Sequence, residues 1–242
     1  MIANVRRRLR NWREVYGDLL LTLLTVLLLL MMFVVAPMQA SENAFSGFGV
    51  ILALIMIAGV LVLSGSFIAS LLMLTAFLVN AFVAVSRLSG AHSAFHVHLV
   101  SGAWLTITLT LLWVVARAVF AQGRVTYHRI VGAVLLYMLV ALAFVPLFVI
   151  VGSLASKPFS GLTIDDSAGL ATTLIYFSCT TLTTLGYGDI APLHPMARSL
   201  CNIESIIGQL YPAILIGRLV TLQLEHSRRE EGEKRPHKVS QL

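Results

Sequence analysis

Long apolar stretches separated by short polar segments dominate the chain. Most are close to the roughly 20 residues that a helix needs to cross the hydrocarbon core of a membrane. We therefore predict an all-α membrane protein with six transmembrane helices, at residues 19–37, 47–63, 67–85, 98–120, 130–151 and 196–223. A further apolar run at residues 167–181 is too short to span. It predicts a half-helix that dips into the membrane before the last span.

Composition agrees with this assignment, and the charges add an orientation. The 242 residues are 58% hydrophobic and 12% charged with a net charge of +6, which is typical of a membrane protein. With a cytoplasmic N-terminus, all of the 17 Lys and Arg residues except Arg87, Lys157 and Arg198 lie on the cytoplasmic side. The positive-inside rule thus predicts that both termini are cytoplasmic, and that the loop before the last helix lies outside.

A polar, glycine-bearing stretch lies between the half-helix and the last span. It reads Thr-Thr-Leu-Gly-Tyr-Gly-Asp from Thr183 to Asp189. Glycine reaches backbone angles that are closed to other residues, so a Gly-Tyr-Gly segment can turn successive carbonyls the same way. Non-helical backbone survives inside a membrane only where it is buried in protein or lines a water-filled path. A row of carbonyls in that setting predicts a cation site.

The longer run from Tyr176 to Pro192 resembles the signature of six-transmembrane, one-pore-loop potassium channels of prokaryotes. In that family, carbonyl oxygens replace the hydration shell of the ion. Leu185 stands where the family usually has valine or isoleucine. The resemblance implies ion-binding residues in a selectivity filter, with K⁺ at the first four of them and the last closing the outer mouth: Thr184, Leu185, Gly186, Tyr187 and Gly188.

The resemblance also implies supporting and moving parts. The filter would be supported by Thr180, Thr183, Asp189, Tyr176 and Phe177. Thr180 occupies the place of a glutamate that binds the filter aspartate in some relatives, so Asp189 needs another partner, either Tyr176 or water. Gly208 and Pro212 would form a gate or hinge, or simply permit close helix packing. A ring of carbonyls needs four filter strands, so a homotetramer in the lipid bilayer is expected.

These features predict a potassium-selective channel that conducts passively, without catalysis or a cofactor other than the permeant K⁺. A potassium transporter subunit, a non-selective cation channel and a non-conducting membrane protein remain alternatives. The predicted parts are a basic cytoplasmic N-terminus (1–17), a sensor-like four-helix domain (18–121), a pore domain (122–223) and a charged cytoplasmic tail (224–242). We expect a bacterial inner-membrane protein with no nucleic-acid partner and no cytoplasmic ligand-binding domain.

Several ionisable residues have more than one interpretation. The fourth predicted helix carries Arg117 alone, so steep voltage dependence is not expected, because a voltage sensor needs several charges in the membrane. The three imidazoles of His92, His96 and His98 could bind metal or sense pH, but a polar interfacial stretch is the simpler interpretation. Glu204 lies within the last span, where an ionisable residue is either functional or held by a structural hydrogen bond.

Overall fold

A computed structural model describes residues 19–40, 67–88, 94–120, 127–155, 157–164 and 169–233. Within these ranges the chain is mainly helical. The second predicted span, the N-terminal arginines, His92 and the last nine residues of the tail, from Lys234, lie outside the described residues.

Six helices and a two-stranded bridge make up the described part of the chain. Residues 19–40 form α1, which includes a π-helical turn at Met31–Val35. The remaining elements are α2 (Phe67–Leu88), α3 (Ala94–Val119), α4 (Tyr127–Leu154), β1 (Phe159–Ser160), α5 (Leu170–Leu182), β2 (Ala191–Pro192) and α6 (Pro195–Glu233).

Four of these helices are long and apolar enough to cross a membrane within the described residues. They are Leu19–Met38, Phe95–Val119, Ile130–Leu154 and Pro195–Arg218. The third predicted span is helical as α2, but its apolar stretch, Ile68–Val83, is shorter than in these four. The chain is therefore a multi-pass, all-α membrane protein, and the count of six spans stays a prediction.

Helix α4 is the centre of the packing. It contacts α3, α5 and α6, and most of its apolar side chains between Ala133 and Val151 are buried. Helix α1 also contacts it, with the Thr25 hydroxyl 3.4 Å from the Val131 carbonyl oxygen. A segment that is apolar on every side is the pattern expected for a helix in the interior of a protein or a membrane. The core thus lies behind the short helix α5 and holds it in place.

Three aromatic rings connect α4 and α5 to β1. Phe148, Phe159 and Phe177 pack edge to face, with ring centroids 5.0–5.9 Å apart. Such arrangements are favoured by the quadrupoles of the rings. Strand β1 then pairs antiparallel with β2, with Phe159 opposite Pro192 and Ser160 opposite Ala191. The loop after α4 is thereby tied to the segment that follows Asp189.

Candidate functional site

The stretch from Thr184 to Gly188 connects the end of α5 to β2 in an alternating backbone conformation. The φ angle is positive at Thr184 (58°), Gly186 (53°) and Gly188 (83°). Leu185 and Tyr187, which lie between them, do not share this conformation. Glycine adopts positive φ without strain, whereas a non-glycine residue such as Thr184 does so at a cost and persists only where its surroundings hold it.

The amides of this stretch turn back toward the end of α5. The backbone N–H groups of Leu185 and Gly186 both donate to the Thr180 carbonyl oxygen, at 2.9 and 3.2 Å, and that of Thr184 donates to Thr181 at 3.0 Å. The last carbonyls of a helix need such donors. Thr180 therefore supports the stretch through its main chain, while its hydroxyl donates to the Phe177 carbonyl oxygen.

At the far end of the stretch, Tyr176 is the partner of Asp189. Its hydroxyl donates to Asp189 Oδ2 at 2.8 Å, and its ring stacks on that of Tyr187 with centroids 6.3 Å apart. A tyrosine phenol is protonated at neutral pH and can donate this hydrogen bond.

The pairing of β1 with β2 brings the loop after α4 close to Asp189. Gly161 has φ of 72°, and a Cβ built there would lie 2.1 Å from the Asp189 carbonyl oxygen. Only glycine allows the loop to approach the main chain of Asp189 so closely. The loop after α4 therefore fixes where the stretch ends.

Helix α6 passes directly against the C-terminal end of α5. A Cβ built at Gly208 would lie 1.8 Å from the Leu182 carbonyl oxygen. The same oxygen lies 3.4 Å from the Tyr137 hydroxyl of α4, and Tyr137 stacks on Tyr211 of α6. Helix α6 is unbroken from Pro195 to Glu233, across both Gly208 and Pro212. These contacts favour close packing as the role of Gly208.

A buried polar junction joins α4, α5 and α6. Glu204 is 0% exposed, and the Ser178 hydroxyl lies within hydrogen-bond distance of its Oε1 and, at 2.7 Å, of the Ala141 carbonyl oxygen. A hydroxyl has one hydrogen to donate. A neutral Glu204 that donates to Ser178, while Ser178 donates to Ala141, satisfies both contacts. Glu204 thus has the structural hydrogen bond that was one of its two interpretations.

Two polar side chains of α6 contact the beginning of the stretch. Gln209 Nε2 donates to the Thr184 hydroxyl at 2.9 Å. The Ser205 hydroxyl lies 3.2 Å from the Thr181 carbonyl oxygen. Together with Gly208, these residues place one face of α6 against the end of α5 and the first residue of the stretch.

Arg117 and the histidines of α3 lie away from this assembly. The Arg117 guanidinium lies 5.1 Å from the centroid of the Trp113 ring in α3. His96 and His98 are in the first turns of α3, and the described residues include no group of three or more His, Cys, Asp or Glu side chains that could hold a metal ion. Cys179 and Cys201 are free thiols.

One comparison with known proteins covers this part of the chain. Residues 169–224 match the model of a protein family described as "Ion channel". The matched segment holds α5, the Thr184–Gly188 stretch and the apolar part of α6, so this match indicates ion channel activity. Protein LctB of Bacillus caldotenax is 28% identical over 116 residues, which are 47% of this chain and 84% of that protein. No solved structure matches the chain.

Some contacts of the site could not be predicted from the sequence motif. Gly161, Tyr137 and the pairing of Gln209 with Thr184 had no assigned role in the sequence. For Gln209 a signal was present, because an amide inside an apolar span needs a hydrogen-bond partner. That signal does not say which partner the amide finds.

Proposed function

We propose that the chain is a subunit of a homotetrameric potassium channel, in which residues 184–188 form the selectivity filter. The observation that carries the proposal is the alternation of positive φ at Thr184, Gly186 and Gly188, with the amides of Leu185 and Gly186 held by α5. Amides that point into the protein leave the carbonyls free to face a permeant ion. Carbonyl oxygens arranged in this way replace the hydration shell of K⁺.

Exposure of the filter side chains supports the tetramer. In a single chain, Leu185 is 56% and Tyr187 is 69% exposed, although both are large apolar or aromatic side chains beside a tightly held backbone. Neighbouring copies around a fourfold axis would cover these side chains and complete the ring of carbonyls. The K⁺ sites would then be formed by Thr184, Leu185, Gly186 and Tyr187 from each subunit.

We further propose that conduction is passive and depends weakly on voltage. Each elementary charge that moves across the membrane contributes about 2.3 kcal/mol per 100 mV. Helix α3 carries Arg117 near its end, beside Trp113, which is too little charge for a steep response. Helices before residue 122 would form a sensor-like scaffold, with both termini cytoplasmic in a bacterial inner membrane. A hinge at Gly208 and Pro212 remains a prediction, and the packing of Gly208 argues against it.

Ion flux from liposomes tests the proposal. Vesicles that contain the purified protein and are loaded with both ions should release K⁺ and retain Na⁺, and Tyr187→Asp should lose this selectivity while the protein still assembles. Chemical crosslinking should give a tetramer for both proteins. A monomer, or equal passage of Na⁺ and K⁺ by the unmodified protein, would refute the proposal, the second result in favour of a non-selective cation channel. Flux that requires a second protein would favour a transporter subunit.

A further inference from the structure

We propose that Gln209 is a positioning residue that sets the cation affinity of the innermost filter site. It does so by donating a hydrogen bond to the Thr184 hydroxyl oxygen. The inference rests on the proposed function, because it concerns the same filter. It starts from one hydrogen bond, in which Gln209 Nε2 donates to Thr184 Oγ1 at 2.9 Å. No motif of the filter includes Gln209, which lies in the middle of α6.

The hydrogen atoms of this contact can be assigned from its surroundings. The Thr184 hydroxyl lies 2.7 Å from the Thr183 carbonyl oxygen, and a carbonyl can only accept. The one hydroxyl hydrogen is therefore used, so Gln209 must present its NH₂ group to Thr184 and not its oxygen. This assignment agrees with the orientation of the amide in the structure.

The Thr184 hydroxyl oxygen is therefore less able to bind an ion. A threonine hydroxyl has two lone pairs, and Gln209 takes one of them. The partial positive charge of the NH₂ group also lies beside the oxygen that would face the cation. Both effects weaken cation binding at the site formed by Thr184. Weak binding at an entry site favours conduction, since ions must leave as readily as they enter.

Gln209→Met tests this role, because methionine has a similar length and donates no hydrogen bond. Barium is the probe, since Ba²⁺ has nearly the size of K⁺ and twice its charge. Loss of one hydrogen bond at the site should tighten Ba²⁺ binding by about two- to tenfold. Binding is measured by calorimetry on the purified full-length protein and by block of K⁺ flux from liposomes.

Two controls separate this role from a general effect on α6. Gln223→Met makes the same change further along the same helix, beyond its apolar part, and should leave Ba²⁺ affinity unchanged. In a Thr184→Val background there is no hydroxyl to occupy, so Gln209→Met should have no further effect on Ba²⁺ binding. An equal effect of Gln209→Met in both backgrounds would refute action through the hydroxyl. If Gln209→Met fails to assemble, Gln209→Asn withdraws the amide by one methylene group and should also tighten Ba²⁺ binding.

The outcomes distinguish the two proposals. Absence of K⁺ flux from vesicles with the unmodified protein refutes the potassium channel itself. K⁺ flux with the same Ba²⁺ affinity in the unmodified protein, Gln209→Met and Gln209→Asn refutes only the role of Gln209. Weaker Ba²⁺ binding in these variants would overturn it as well, since the amide would then help to hold the cation.

Discussion

Replacement of Gly208 by alanine distinguishes a packing role from a hinge role for this glycine. A Cβ at position 208 would lie 1.8 Å from the Leu182 carbonyl oxygen and 2.8 Å from its carbonyl carbon. Both atoms belong to the main chain, so rotation of a side chain cannot relieve the overlap. Either α6 or the end of α5 has to move, and Leu182 lies only two residues before Thr184, the first residue of the proposed filter.

Two opposing contributions determine the change in stability. Alanine favours a helix over glycine by up to about 1 kcal/mol. Overpacking of a well-packed interior costs about 1–3 kcal/mol, and occasionally more. Because the overlap at Gly208 is with main-chain atoms, we expect a cost at the upper end and a net destabilisation of about 2 kcal/mol. A Cβ at Gly217, in the same helix, would have no atom within 4 Å, so Gly217→Ala retains only the favourable contribution.

Thermal unfolding in detergent, followed by circular dichroism, measures this difference. Gly208→Ala should unfold at a lower temperature than the unmodified protein, and Gly217→Ala at the same or a higher temperature. K⁺ flux should be lost with Gly208→Ala and kept with Gly217→Ala. If Gly208 were instead a hinge exposed to solvent, Gly208→Ala would raise the unfolding temperature and alter opening of the proposed channel. Equal unfolding temperatures for the two variants would contradict the packing role.

Substitutions at three further positions test the supports of the proposed filter. Tyr176→Phe keeps the ring but removes a hydrogen bond to Asp189 of about 1 kcal/mol, so K⁺ flux should fall without loss of folded protein; unchanged flux would mean that Asp189 does not need this partner. Glu204→Gln keeps a hydrogen-bond donor for Ser178 and should unfold at the same temperature as the unmodified protein, whereas Glu204→Leu should be destabilised by about 1–3 kcal/mol. An equal loss of stability in both variants would contradict a neutral Glu204. Gly161→Ala should abolish K⁺ flux, because its Cβ would lie 2.1 Å from the Asp189 carbonyl oxygen, while Gly169→Ala, with open space around it, should not.

Hydropathy predicts helices α4 and α5 well. The predicted span at residues 130–151 lies within α4 (Tyr127–Leu154), and the short run at residues 167–181 overlaps α5 (Leu170–Leu182). Apolar length is a direct consequence of membrane thickness, which is why these elements are visible in the sequence. Apolar length alone does not give the end of α6, which continues as helix to Glu233, well beyond its apolar part.

Contacts between the helices were harder to predict for a physical reason. A helix that is apolar on every side, such as α4, has no polar face to show which side meets its neighbours. The rotation of α6 about its axis decides that Gly208 faces Leu182, that Glu204 faces Ser178 and that Gln209 reaches Thr184. The sequence supplied the polar residues that need partners, but the packing of three helices selected the partners.

The pairing of Phe159 with Pro192 and of Ser160 with Ala191 has a consequence for inhibitors. The two-residue bridge connects the loop after α4 to the main chain just beyond Asp189, and the absence of a side chain at Gly161 keeps the two in direct contact. A peptide or antibody that binds this loop and displaces it would therefore distort the proposed filter without entering it. Molecules selected against residues 157–164 would inhibit the proposed channel without plugging its conduction path.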